Sequence, residues 1–251
     1  MPKSLLSSVV VALLLAGCAS LWSFGGPDPA ANHAAAIADP LRPPEEVARD
    51  PFRDPAAMLA FAEIGPGDRV ADVRPGAGYF TRLFAKSVGP TGKVYAFVPD
   101  LTAPRENARA DALVAAYPNV YRMNGSLETM RFPDPLDVIW ISQEYHDFAL
   151  PFFGPADTVK VNAAMLAALK PGGLLVIVDH AGRPGTRNTE AETLHRIEGA
   201  YLRERIEASG FVFDGESDAV ANPADDRTTN VFDSPIRGRT DQFVYRFRKP
   251  G

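Results

Sequence analysis

Two of the four histidines stand where an apolar segment of the chain ends. His146 follows the segment LDVIWIS and is next to Asp147, and His180 ends the segment LLVIVDH, next to Asp179. A histidine supported by a carboxylate can act as a general base that takes a proton from an oxygen or nitrogen nucleophile. We therefore assign candidate catalytic roles to His146, His180 and Asp179, and a role in the wall of the site to Tyr145.

These residues also allow other interpretations. Histidines at strand ends often cap loops, and Asp179 can serve backbone amides alone. Together with Glu144 and Asp147, the same side chains could hold a metal ion. Because the chain has no compact ligand motif such as HExxH, the sequence predicts no metal-binding residue.

The two remaining histidines are predicted to have no catalytic role. The segment 189–210 has the pattern of one long helix, in which His195 stands at helical spacing from Glu192 and Glu198. This spacing favours an exposed or structural side chain. His33 lies in a stretch rich in alanine and proline and is predicted to be solvated.

The stretch VADVRPGAGYF (70–80) joins an apolar strand pattern to a helix pattern through a glycine turn. The strand pattern contains Asp72, and the turn contains Gly76 and Gly78. Such a loop is typical of a site that cradles a nucleotide-like cofactor, because glycine lets the backbone approach a ligand without a Cβ in the way. Arg74 stands where a further glycine would be expected. Two glycines also suit any strand-to-helix turn, so the loop alone leaves both interpretations open.

The elements that must position these residues alternate between helix and strand from about residue 55 onward. Strands joined by helical crossovers predict a parallel sheet that is covered on both faces. The chain ends on a strand, a long loop and a last strand, which predicts one antiparallel strand near the C-terminus. We therefore predict a doubly wound α/β fold with a mostly parallel seven-stranded sheet, formed by residues 55–251. The predicted strands are 69–74, 93–98, 119–124, 136–142, 174–180, 211–218 and 240–250.

The composition limits the classes of function. With 251 residues and 46% hydrophobic side chains, the chain can form one domain with a large core. The formal net charge is −5, and no dense cluster of lysine and arginine is present. A nucleic-acid partner is therefore not expected.

The N-terminal region resembles an export signal. Residues 1–17 combine Lys3 with an apolar stretch that is too short to span a bilayer, as in a signal peptide. The sequence LLAGCAS is similar to the lipobox of bacterial lipoproteins, which implies lipidation of Cys18 and anchoring to a membrane. No aspartate follows the cysteine, which favours an outer-membrane lipoprotein that faces the periplasm. An ordinary secretory signal with an incidental cysteine is the alternative. Residues 18–54 are predicted to be a tether and N-terminal extension, with 19–50 as the tether.

Three longer stretches resemble class I S-adenosylmethionine-dependent methyltransferases, and shorter ones resemble a bacterial family of predicted methyltransferases that are often exported. The resemblance implies a Rossmann-like fold, S-adenosylmethionine as cofactor, and a small-molecule or otherwise unknown methyl acceptor. The longer stretches are GDRVADVRPGAGYFTRLFA (67–85), GKVYAFVPD (92–100) and LKPGGLLVIVDH (169–180), and the shorter ones are YHDF, VDH, LHRIE and RTDQFVYRFRKP.

The resemblance also implies which residues contact the cofactor. They are Asp72, Gly76, Gly78, Tyr79, Asp100 and Ser126. This chain departs from the family pattern at three positions. Arg74 replaces the first glycine, Val98 replaces the acid that grips the ribose, and Ser126 replaces the acid that meets the adenine.

Two hypotheses about function follow. The first is an S-adenosylmethionine-dependent methyltransferase of unknown acceptor, anchored as an exported lipoprotein. The second is a lipid-anchored periplasmic binding or interaction protein that has kept the fold without methyl transfer. The glycine loop and the histidines at the strand ends favour the first, and the three departures and the lipobox favour the second.

Overall fold

A computed structural model of the protein describes residues 28–151, 155–234 and 236–251. The predicted signal peptide 1–17 and the lipidation of Cys18 lie outside the described residues. Among the described residues, no helix has the length and apolar character needed to cross a membrane.

The strands are β1 Arg69–Val73, β2 Lys93–Pro99, β3 Val120–Gly125, β4 Leu136–Ser142, β5 Leu169–His180, β6 Val212–Ser217 and β7 Gln242–Arg248. The helices are α1 Pro29–Ile37, α2 Pro44–Val47, α3 Asp50–Arg53, α4 Pro55–Phe61, α5 Tyr79–Ser87, α6 Ala103–Ala116, α7 Thr158–Ala168, α8 Ala191–Leu194 and α9 Gly199–Glu207.

Within the described residues these strands form one seven-stranded sheet in the order β3-β2-β1-β4-β5-β7-β6. The pairs from β3 to β5 are parallel, whereas β7 runs antiparallel to both β5 and β6. The predicted fold class, including the single antiparallel strand near the C-terminus, is confirmed. Because β1, β4 and β5 are adjacent and parallel, their carboxyl ends meet at one edge of the sheet, where ligands bind in open α/β folds.

The core has two apolar layers, one on each face of the sheet. Alternate residues of a strand point to opposite faces. In β1, Val70 packs into the layer that contains α5, and Ala71 packs into the layer that contains α7 and α9. Both layers are built from fully buried aliphatic and aromatic side chains. Because both faces of the sheet are covered, a ligand can reach it at the carboxyl ends of the strands.

The single helix predicted over 189–210 is wrong. The chain forms α8 and α9 instead, and His195 between them has a left-handed backbone with φ 54°. Ile197 donates its amide to the carbonyl of His180 at 3.0 Å, so the chain pairs with the end of β5 here. Arg196 is fully buried and donates two hydrogen bonds to Asp225, at 2.9 and 3.2 Å. These tertiary contacts override the local helix preference.

Residues 28–50, which the composition assigned to a tether, are structured and packed against the domain. Helix α1 contacts α5, and the buried ring of His33 hydrogen-bonds the carbonyl of Ile64 through Nε2 at 2.7 Å. The prediction of a solvated His33 is therefore wrong. Prolines suggested a tether, but in α1 and α2 they occupy the first helical positions, where proline is well tolerated.

Candidate functional site

A cavity of about 390 Å³ opens at the carboxyl ends of β1, β4 and β5. It gathers residues from the glycine loop, from the segment after β4, from the end of β5 and from the break between α8 and α9. The lining includes Asp72, Gly76, Glu144, His146, His180 and His195. The cavity therefore unites most of the predicted cofactor loop with the histidines.

The two loop glycines have different roles. Gly76 has φ 57°, and a Cβ placed on it would meet no atom within 4 Å, so the backbone borders open space in the cavity. Gly78 has φ 93°, and a Cβ there would lie 2.4 Å from Leu113 of α6. Gly76 thus leaves room for a ligand, whereas Gly78 allows α5 to begin close against α6.

Asp72 lies in the cavity wall and is almost completely buried. Thr81 donates a hydrogen bond from Oγ1 to its carboxylate at 2.6 Å. Burial raises the pKa of Asp72 to about 7, because the hydrogen bonds from Thr81 and the charge of Arg53 offset only part of the desolvation. Tyr79, the next residue predicted to contact the cofactor, also lines the cavity.

Arg74 bridges two acids over the strand ends. Its guanidinium donates a hydrogen bond to Glu106 of α6 at 3.0 Å and another to Glu144, and its side chain is largely buried. The charge that the sequence places beside the glycine loop is therefore paired with carboxylates. Burial raises the pKa of Glu144 to about 8, although the charge of Arg74 opposes this shift.

His146 is held by carboxylates on both sides of its ring. Its Nδ1 lies 2.7 Å from Asp179 Oδ1, and its Nε2 lies 3.1 Å from Asp147 Oδ1. Burial alone would lower the pKa of His146, but the charges of and hydrogen bonds to Asp179 and Asp147 outweigh burial and raise it to about 10. Asp179 also accepts the backbone amides of His146 at 3.0 Å and His180 at 2.8 Å, so it orders the segment as well as the ring.

His180 has the opposite environment. Its Nδ1 lies 2.7 Å from the Thr240 hydroxyl, and the ring borders the cavity. Burial lowers its pKa well below the usual value, and the nearby positive charge of His146 adds to this shift. At neutral pH the two strand-end histidines therefore differ in charge.

Five predicted site residues are not part of the cavity lining. Gly78 packs against α6, and Asp179 holds the ring of His146 without lining the cavity itself. The other three are Tyr145, Asp100 and Ser126. The hydroxyl of the buried Tyr145 contacts Asn162 Oδ1 at 3.0 Å, beneath α7. Asp100 is exposed just after β2. Ser126 is exposed just after β3, and its hydroxyl accepts the amide of Glu128 at 3.2 Å.

Sequence reasoning missed several contributors to the cavity, among them the following three. His195 was assigned to a helix, but its Nδ1 lies 3.1 Å from Asp147 Oδ1 and 3.3 Å from His146 Nε2. Arg53 of the N-terminal extension stacks on Tyr79, with its guanidinium carbon 4.9 Å from the ring centroid. It also donates a hydrogen bond at 2.8 Å to the third missed residue, Gln143. In the sequence, Arg53 stands among closely spaced charges, and these do not by themselves place it at the cavity.

Comparisons with known proteins agree with this architecture. No family model matches the chain. The ubiquinone/menaquinone biosynthesis C-methyltransferase UbiE of Ectopseudomonas mendocina (strain ymp) is 34% identical over 133 residues, which are 51% of this chain and 47% of that protein. The chain spans about half the length of the curated relatives it matches.

Solved structures cover more of the chain. A SAM dependent methyltransferase from Aquifex aeolicus has a TM-score of 0.58 at 19% identity and covers 89% of this chain and 100% of its own. The cyclase SpnF also has a TM-score of 0.58, at 18% identity, and covers 78% of this chain and 82% of its own. At such identities the similarity concerns the fold alone. The chain therefore has the class I S-adenosylmethionine-dependent methyltransferase fold that the resemblance of its sequence implied.

Proposed function

We propose that the protein is an S-adenosylmethionine-dependent methyltransferase and that transfer takes place in the cavity at the ends of β1, β4 and β5. The observation that carries this proposal is the position of Gly76. Its left-handed backbone borders open space beside the buried carboxylate of Asp72. A loop of this form lets a ligand lie directly against the backbone. The similarity to UbiE supports the same class of activity.

The residues present fit the methionine end of the cofactor. Gly76 provides the close approach, and Asp72 lines the same cavity, where a bound cationic group would favour the ionised form of its carboxyl group. The ribose end differs from the family pattern, because Val98 is fully buried and offers no acceptor. Glu106 in the first turn of α6 is a carboxylate near the end of β2, held there by Arg74. We propose that Glu106 takes over part of the ribose contact.

The bound cofactor would supply a methyl group activated on a sulfonium. The residues of this chain would position the methyl acceptor and take up its proton. Both ring nitrogens of His146 are engaged, Nδ1 by Asp179 and Nε2 by Asp147 and His195. Thr240 holds His180 through Nδ1. We therefore assign Nε2 of His180 as the atom that takes the proton from the methyl acceptor. Arg53 stacks on Tyr79 in the lining of the cavity, and we propose that this pair limits the access of water.

The test is calorimetric titration of the full chain with S-adenosylhomocysteine. Saturable binding with one site per chain is expected, and Gly76→Val should abolish it. Gly89→Val is the matched control, because Gly89 has φ 66°, also has no atom within 4 Å of a Cβ, and lies outside the cavity. Equal binding by the two variants would contradict the assignment of the loop.

The export and anchoring of the protein are a separate part of the proposal. The lipobox-like sequence LLAGCAS supports lipidation of Cys18, and the residues after it favour an outer-membrane lipoprotein that faces the periplasm. Acyl chains would then hold the domain at the membrane, since each buried CH₂ contributes about 0.8 kcal/mol. Labelling with a radioactive fatty acid tests this. We expect a labelled protein that becomes unlabelled in Cys18→Ser, and equal labelling of both would contradict lipidation at Cys18.

The second candidate is a binding or interaction protein without methyl transfer. The buried Val98 at the end of β2 favours it, because the usual acceptor for the ribose is missing. The solved structure of the cyclase SpnF also has this fold. The same titration distinguishes the candidates, since absence of heat at millimolar S-adenosylhomocysteine would favour the second.

A further inference from the structure

We propose that His146, Asp147 and His195 form a binding site for a divalent transition-metal ion. Their possible ligand atoms lie within 4.8 Å of one another. His146 Nε2 and His195 Nδ1 are each 3.1 Å from Asp147 Oδ1, and the two nitrogens are 3.3 Å apart. Two donors that each lie about 2.1 Å from an ion are separated by about 3.0 Å at octahedral angles and about 3.4 Å at tetrahedral angles. The observed spacing is that of a ligand set.

The support of His146 is a second, independent observation. Its other ring nitrogen, Nδ1, lies 2.7 Å from Asp179 Oδ1, and the second oxygen of Asp179 accepts the His146 amide at 3.0 Å. Asp179 is fully buried. Histidines that bind metals commonly donate the opposite N–H to a carboxylate, which fixes the ring and directs the free lone pair at the ion. Asp179 is therefore a positioning residue, and it also balances part of the charge of a divalent ion.

The backbone at His195 is constrained in a way that presents this ligand. His195 has φ 54°, a region that is unfavourable for residues other than glycine. The next residue, Arg196, is fully buried and paired with Asp225. This buried pair fixes the chain directly after His195 and so maintains its strained backbone conformation. Phe232 packs against the ring of His195, with centroids 4.8 Å apart. The fold thus holds His195 away from a helical path and against Asp147.

The ligand types indicate the class of ion. Two imidazoles and one carboxylate suit Zn²⁺, Mn²⁺ or Fe²⁺ better than Mg²⁺ or Ca²⁺, which prefer oxygen donors. Three protein ligands leave coordination positions open, and all three residues line the cavity. If the proposed methyl transfer is correct, the open positions would take an oxygen atom of the acceptor. The acceptor class would then be a hydroxyl compound. This last step rests on the proposed function, whereas the metal site does not.

The test is calorimetric titration of the chelator-treated full chain with Zn²⁺, without any methyl donor. One equivalent is expected to bind to the wild type, and His195→Ala and Asp147→Asn should each weaken binding at least 100-fold. His180→Ala is the matched control, because His180 lines the same cavity but is not one of the three ligands. Asp179→Asn should keep the stoichiometry and weaken affinity about 10- to 100-fold.

Co²⁺ provides a second readout that does not require variants to fold. The wild type with one equivalent of Co²⁺ should show visible absorption bands of a protein-bound ion, and these bands should disappear when Zn²⁺ is added. Absence of Zn²⁺ binding by the wild type at millimolar concentration would overturn the proposal. Undiminished binding by a folded His195→Ala variant would also overturn it. Neither result would bear on S-adenosylhomocysteine binding, which is measured separately.

Discussion

At the scale of single residues, burial decides which charges the site can hold. Asp72 and the side chains around the cavity come from different parts of the sequence, and their ionisation depends on neighbours that the sequence does not place. Asp72 faces the hydroxyl of Thr81 and the charge of Arg53, yet desolvation still dominates. The wall of the proposed cofactor site therefore changes charge near neutral pH.

Asp72 should make stability depend on pH. Its pKa is about 7 in the folded state and about 3.9 in an unfolded chain. The folded state then binds the Asp72 proton more tightly, so the contribution of Asp72 to stability is fully present below pH 4 and is lost as the pH rises to 7. Asp72→Asn should remove the part of the fall in stability that Asp72 contributes, which is on the order of 2–4 kcal/mol, and should leave the part that comes from the raised pKa values of Glu144 and His146. Urea unfolding at pH 5 and pH 8 measures it.

Asp111→Asn is the control for this prediction, because the Asp111 carboxylate is more than half exposed. It should keep the wild-type dependence on pH. A parallel loss of stability in wild type and Asp72→Asn between pH 5 and pH 8 would show that Asp72 is not the titrating group.

The two loop glycines should respond differently to alanine. Gly78→Ala combines a left-handed backbone with a Cβ 2.4 Å from Leu113, and should cost about 2–4 kcal/mol of unfolding free energy. Gly76→Ala carries only the backbone penalty, about 1–2 kcal/mol. Chemical denaturation of both variants measures the difference. Equal losses would mean that contact with α6 does not explain Gly78.

At the scale of secondary-structure elements, β1, the glycine turn and the start of α5 could be predicted because their pattern is local. The break between α8 and α9 could not. Residues 189–210 have good helix formers, and the interruption depends on Arg196 pairing with Asp225 and on Ile197 pairing with His180. Contacts between positions 29 residues apart leave no periodic signal. His195 was misassigned for that reason, although His146 and His180 were correctly placed at the strand ends.

The buried pair of Arg196 and Asp225 should contribute strongly to the stability of the fold where the chain passes from α8 to α9. Asp225→Asn leaves the fully buried Arg196 without its charged partner, and should cost about 3–5 kcal/mol. Asp111→Asn breaks the exposed pair with Arg122 and should change stability by less than about 1 kcal/mol. Urea unfolding of the two matched variants compares the pairs. Similar small effects would contradict a structural role for Arg196.

At the scale of the whole molecule, the N-terminal extension is part of the folded unit. His33 binds the chain after α4, and Glu46 pairs with Arg82 of α5 at 2.6 Å. Arg53 reaches the cavity itself. The composition predicted a tether here because prolines and alanines are frequent in linkers. The packing of this region depends on residues that are distant in the sequence, and no local pattern shows such contacts.

Removal of residues 28–54 should therefore lower the melting temperature by more than about 5 °C and expose the rings of Tyr79 and Phe80, which Arg53 covers. Differential scanning calorimetry measures the first effect, and binding of a fluorescent dye specific for apolar surface measures the second. An unchanged melting temperature would restore the interpretation of this region as a tether.

The central claim is that the cavity beside Gly76 is the place where S-adenosylmethionine binds. The most direct measurement is a crystal structure of the chain grown with S-adenosylhomocysteine. We expect electron density for the ligand in this cavity, with its amino-acid end against the backbone of Gly76 and beside Asp72. If the cavity holds no ligand in crystals saturated with S-adenosylhomocysteine, or if the ligand binds elsewhere, the central claim is contradicted.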